Sequence, residues 1–191
     1  SEYISMSGYA SYKYHFSNKL VSTMGARYNW VTLNGQSTDV DAVTYGFDKF
    51  DIRNSSVNGS LGIAYLPTKL TKIDIVASSG FRSPNIDDVG KVFDSEPGSV
   101  TVPNPNLEAE YAYNIDVSVA KVIADVVKID VTGYYTILQN AMVRRPYQLN
   151  GQDSIMYDGE LSQVEAIQNA AVANVYGIQA GLEVKLSAGF T

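Results

Sequence analysis

Residues 4–16 read Ile4-Ser5-Met6-Ser7-Gly8-Tyr9-Ala10-Ser11-Tyr12-Lys13-Tyr14-His15-Phe16. Ile4, Met6, Gly8, Ala10, Tyr12, Tyr14 and Phe16 hold the even positions; Ser5, Ser7, Tyr9, Ser11, Lys13 and His15 hold the odd ones. A strict two-residue period sends successive side chains to opposite faces of an extended chain, so one face meets an apolar neighbour and the other meets water. Ser17-Asn18 interrupts the pattern as a tight hairpin turn does. A second run follows, with Leu20, Met24, Ala26, Tyr28 and Trp30 on one face and Thr23, Arg27 and Asn29 on the other.

The same period returns along the whole chain. Val57, Leu61, Ile63 and Tyr65 alternate with Asn58, Ser60 and Gly62; Ile73, Ile75 and Ala77 alternate with Lys72, Asp74 and Ser78. Tyr111, Tyr113, Ile115, Val117 and Val119 form another such set, as do Val127, Ile129, Val131, Gly133 and Tyr135. A final hairpin is expected from a strand over 162–171 and a last strand with Tyr176, Ile178, Ala180, Leu182, Val184 and Leu186 on one side. Connections alternate in length: short at 17–18, 67–69 and 123–125, long at 34–54, 82–108 and 140–153. The fold class is therefore all-β, an antiparallel up-and-down meander of about eight long strands, each longer than the usual five or six residues. Such strands suit a transmembrane β-barrel, which needs about 9–11 tilted residues per crossing and puts short turns on one rim and long loops on the other. Tyr12, Tyr14 and Phe16 beside a short turn, with Tyr28 and Trp30 toward the opposite rim, fit two interfacial belts of aromatic rings.

Composition bounds the function. The 191 residues contain no cysteine and one histidine, which excludes disulfides, thiolate metal sites and most histidine-based triads. A net charge of −6 argues against nucleic-acid binding, which needs a basic surface. Charged residues are only 18% of the chain and aromatic residues 11%, mostly tyrosine, as expected of a surface half wet and half apolar. The start of the chain has no signal-peptide pattern, and nowhere do 18 apolar residues run together to make a spanning helix. Alternation and loop asymmetry leave two other architectures open: a soluble β-sandwich that binds carbohydrate or adheres, and a small complete outer-membrane barrel.

Two motifs narrow the choice. Gly80-Phe81-Arg82-Ser83-Pro84-Asn85-Ile86 ends one strand, and Pro103-Asn104-Pro105-Asn106-Leu107-Glu108-Ala109-Glu110 precedes the next. Together they resemble the paired signature of TonB-dependent outer-membrane receptors. Gln168-Asn169-Ala170 and Tyr176-Gly177-Ile178-Gln179-Ala180-Gly181-Leu182-Glu183 are similar to a later hairpin of the same receptors. Ala109 stands where the family more often has proline, and Gln179 where an acid is usual. The resemblance implies a barrel of about 22 strands filled by an N-terminal plug, in the bacterial outer membrane. It implies import of siderophore-iron, cobalamin or oligosaccharide, with energy relayed from TonB through the plug. On that reading residues 1–191 are a single barrel segment from the middle or later part of the protein, lacking plug and signal peptide. Outer-membrane lipid and a small-molecule or oligosaccharide ligand are the implied partners, and two open strand edges would favour self-association.

Within this framework Gly80, Phe81, Arg82, Ser83, Pro84, Asn85, Pro103, Asn104, Pro105, Leu107 and Glu110 are expected to be structural. Pro84 forces Ser83 toward extended geometry, and Asn85 suits a turn cap. Arg144, Arg145 and Tyr147, with Asp39 and Asp41, are the candidate ligand-facing loop residues. The arginines could grip an anion through charge-assisted hydrogen bonds. Asp39, Asp41, Asp48 and Asp51 could hold a hard cation, although their spacing fits no EF-hand and solvated loop acids explain them as well. His15 reads as a solvated side chain on the polar face. Asp87-Asp88 lacks the fixed separation that paired carboxylates need for glycoside hydrolysis. Asn54-Ser55-Ser56 and Asn58-Gly59-Ser60 match the glycosylation sequon, a coincidence in a bacterial barrel. No catalytic constellation, cofactor motif or metal motif is present, so the chain reads as a binding and gating protein and not an enzyme.

Overall fold

The computed structural model describes residues 2–36, 49–89 and 92–185. In chain order the elements are β1 (Glu2–Ser17), β2 (Leu20–Gln36), β3 (Lys49–Thr68), β4 (Thr71–Arg82), the one-turn helix α1 (Ile86–Val89), β5 (Phe93–Glu96), β6 (Ser99–Val102), β7 (Glu110–Ile123), β8 (Val127–Pro146), β9 (Ser154–Tyr157) and β10 (Glu160–Val184). They make one sheet in the order β1-β2-β3-β4-β7-β8-β10-β6-β5, with β9 paired to β10. The wall of the sheet is β1, β2, β3, β4, β7, β8 and β10, each antiparallel to its neighbours. These strands run from 12 to 25 residues, more than a tilted crossing requires.

The expected last hairpin is absent. Residues 162–171 and 176–184 belong to one 25-residue strand, β10, which pairs with β8 from Glu165 to Val184. Its ladder shifts register at Asn169, Ala171 and Ala173, opposite Asn140, whose φ is 54°. A kink of this kind spoils alternation locally without reversing the chain, which is why the pattern there imitates a turn. The outer loops also differ from expectation in extent. β3 starts at Lys49, β8 runs on to Pro146, and the 82–108 excursion contains α1, β5 and β6.

The two faces of the wall are chemically opposite. On one, Ile63 opposes Ile75 and Ile75 opposes Val117, at 42%, 45% and 46% exposure. Nothing among the described residues covers this apolar face. A soluble sandwich would bury it beneath a second sheet, whereas lipid covers it in a membrane wall. On the other face polar side chains bond one another across strands. The Asn29 amide donates to Asn58 Oδ1 at 2.7 Å, Thr136 donates to Asn114 Oδ1 at 2.6 Å, and Ser118 meets Thr132 at 2.8 Å. Near the short-turn rim Tyr12 stacks on Tyr14 and Tyr14 meets Phe16 edge-on, while Tyr135 and Tyr176 stack 6.3 Å apart higher on the wall.

On the polar face the Tyr134 ring lies over Gly177, where an added Cβ would sit 2.6 Å from the phenol oxygen and 2.9 Å from the ring carbon bearing it. Gly177→Ala is therefore expected to push the end of the half-exposed Tyr134 side chain aside, at a cost of under about 1 kcal/mol. The midpoint of thermal unfolding in detergent checks this. Pairing with Tyr134→Ala should restore much of the loss.

Apolar burial is concentrated at the long-loop rim. Leu33 and Ile52 of β2 and β3 pack with Val89 of α1 and Leu107, and Met142 and Ile167 lean on that cluster. Strands separated in the sheet by β4 and β7 thus share one cluster, so the β4–β7 connection folds across the polar, concave face. It then reaches the far edge of β10, where Ser99–Val102 pair in parallel with Gln163–Ala166. A second cluster forms there from Val92, Val100, Val102, Leu149, Ile155, Val164 and Ala166, flanked by Tyr147 and Tyr157. The long-loop rim therefore carries a small packed cap, while the opposite rim has only tight turns.

Candidate functional site

The two sequence motifs meet where the cap joins the wall. Arg82, the last residue of β4, lies opposite Glu110, the first of β7. Its guanidinium donates to Glu110 Oε2 at 2.9 Å and to both oxygens of Asp88, at 2.9 and 3.2 Å. Asp88 closes a reciprocal cap on α1: Asn85 N–H donates to Asp88 Oδ2 at 2.9 Å, while the Asp87 and Asp88 amides donate to Asn85 Oδ1 at 2.8 and 3.0 Å. That exchange satisfies N–H groups that a helix start leaves unpaired. The other oxygen of Glu110 accepts the Met142 N–H just past the kink in β8. Asn169 serves the same kink from β10. It donates to Asn140 O at 2.8 Å and to Glu108 O at 2.9 Å, and accepts the Glu108 N–H at 2.7 Å. Asn104 donates to Ile167 O at 2.9 Å and caps Asn106 N–H at 3.1 Å. Side chains thus replace ladder bonds lost at the kink, as buried backbone groups require.

Around this clasp Pro84 and Pro103 are fully buried, Leu107 is in the inner cluster, and Phe81 faces Tyr111 at 6.2 Å. Ser83 Oγ accepts from Asn54 at 2.9 Å, Pro105 is exposed, and Gly80 has Ala112 as its nearest neighbour. Asp88, Asn140 and Met142 are the members that the motif reading missed. The Asn85-x-x-Asp88 spacing of a capping box signals the first; the other two belong to a kink that only strand pairing reveals.

The candidate ligand residues separate. Arg144 lies 4.0 Å from Glu165 and 5.6 Å over the Phe93 ring. Arg145 opposes Ala166 of the second cluster, on the other side of the strand, and is exposed. Tyr147 is half-buried against that cluster. Asp51 pairs with Arg53 at 2.9 Å, and Asp39, Asp41 and Asp48 lie outside the described residues. Among the described residues no acids or histidines group into a metal site. His15 is exposed beside the first short turn.

The family model for the TonB dependent receptor-like β-barrel matches residues 2–191. The chain belongs to that family. No curated protein matches it. Among solved structures, the Serratia marcescens hemophore receptor HasR, a double mutant in complex with its hemophore HasA and heme, is 15% identical with a TM-score of 0.77, covering 95% of this chain and 32% of that one. The copper transporter OprC is 12% identical with a TM-score of 0.71, covering 97% and 27%. The siderophore receptor PirA from Pseudomonas aeruginosa is 19% identical with a TM-score of 0.64, covering 97% and 40%. At these identities the likeness is one of fold, and the chain spans less than half the length of each structure. Barrels of the bacterial outer membrane turn their apolar face to lipid and their polar face to the lumen, with short turns on the periplasmic rim and longer loops outside.

Proposed function

We propose that the receptor containing this wall captures a scarce nutrient at the cell surface and admits it to the periplasm. The iron, heme or copper handled by proteins of similar fold is the nearest model for the cargo. The observation that carries this reading is the asymmetry of the wall. One rim is bare turns; the other is a packed cap held over a polar lumen by the Arg82–Glu110–Asn169 clasp. The motif residues serve as structure: they seat the cap and leave chemistry to the ligand. TonB would act through a plug supplied by the rest of the receptor, and the open edges of β1 and β10 would pair with its remaining strands, removing the risk of self-association.

Growth tests the reading. A strain carrying the intact receptor as its only TonB-dependent importer is expected to grow on at least one ferric chelate, heme, copper, cobalamin or oligosaccharide supplied at limiting concentration, and to stop when TonB is deleted. Growth on none of them, or growth that survives loss of TonB, would overturn it.

A further inference from the structure

Above the kink the cap sheet has an inner and an outer face. Phe93 opposes Thr101, Thr101 opposes Glu165, and Glu165 opposes Pro146, so these residues share a face. Arg144 reaches Phe93 and Glu165 and therefore shares it too; its own register partner Ile167 packs against the inner cluster of Leu33, Ile52, Val89 and Leu107. That face looks into the mouth of the lumen. Arg145, opposite Ala166, belongs to the other side.

We propose that Arg144 is a guanidinium fork that grips a carboxylate or phosphate group of the incoming compound at the mouth of the lumen. The anion site stands on the geometry alone; its role in cargo selection rests on the import reading. The Phe93 ring lies 5.6 Å from the guanidinium carbon, within reach of a cation–π contact. Glu165 Oε2 sits 4.0 Å from Nε, a charge neighbour beyond hydrogen-bond distance. Among the described residues the terminal nitrogens of Arg144 make no hydrogen bond, so none of those residues occupies the edge shaped for two parallel N–H···O bonds. The arginine side chain is 41% exposed, reachable from the mouth, whereas Glu165 is 25% exposed and has a further partner. Between Phe93 and Glu165, Thr101 is buried with a hydroxyl that has no partner, so this row carries polar capacity the fold leaves unused.

Citrate is the probe, titrated calorimetrically into the full-length receptor in uncharged detergent, with its neutral trimethyl ester alongside. Citrate is expected to bind. Arg144→Ala and Arg144→Lys should each raise its Kd about ten- to hundredfold, the range for losing a charge-assisted bidentate contact. Phe93→Leu should weaken binding less, and Arg145→Ala should leave it within about twofold, the scale of a remote surface charge. The ester should not distinguish wild type from Arg144→Ala. Added lipopolysaccharide should not compete, since Arg144 faces the mouth and not the bilayer; competition would assign the fork to lipid phosphate and overturn the proposal. So would a wild-type receptor that ignores citrate, an Arg144→Lys variant that binds as wild type, or equal losses at Arg145. Failure of growth with citrate binding intact would sink the import reading alone.

Discussion

Arginine in place of Val117 is expected to cost the barrel about 2–4 kcal/mol, the penalty for a cation at the middle of the lipid-facing band. Val117 is central in β7, with Ile75 on one side and Gly133 on the other, and its side chain points to the open apolar face. Arginine at the next residue should behave differently. Ser118 faces the lumen, where it hydrogen-bonds Thr132 at 2.8 Å, so Ser118→Arg forfeits about 1 kcal/mol for that bond and places its charge in water. The folded fraction recovered from outer membranes, read by the gel shift of unheated against heated samples, compares the two. Equal effects at 117 and 118 would mean that lipid is not the neighbour of the apolar face.

Glu110→Ala should act on the cap and not on the wall. It removes one of two acidic partners of Arg82 and the acceptor of the Met142 N–H. Most of the expected loss, about 2–3 kcal/mol, comes from the stranded backbone N–H, because the Arg82 pair is half exposed and screened. Protease added to intact cells should then cut within the β4–β7 connection or the 147–157 loop, while the heat-dependent gel shift of the barrel persists. Glu110→Gln keeps an acceptor for Met142 and should recover most of the protection. A variant that fails to assemble at all would mean that the bonds of Glu110 hold the wall as well as the cap.

Much of this was legible before any coordinates. Strand direction, facing and rim assignment follow from residues such as Ile75, Val117 and Tyr135, because a period of two is a local property that neighbours in the sheet merely ratify. The clasp was half legible. Arg82, Asn85, Asn104 and Glu110 stand out in the sequence, but their purpose depends on the kink at Asn140, and nothing near Asn140 announces it. Alternation also misled at 161–173, where the alanines at 170, 171 and 173 are too small to declare a face and a bent strand was read as a hairpin. The Phe93–Arg144–Glu165 row was invisible. Its members lie far apart in the chain, and Arg144 and Arg145 look equivalent until pairing puts one over the lumen and the other outside it.

The parallel ladder between Ser99–Val102 and Gln163–Ala166 also dictates a timetable. β6 and its partner are separated in the chain by β7, β8 and the loop after them. Closing so large a loop is slow compared with zipping adjacent hairpins. The bridge across the mouth is therefore expected to fasten last, after the staves beneath it are upright.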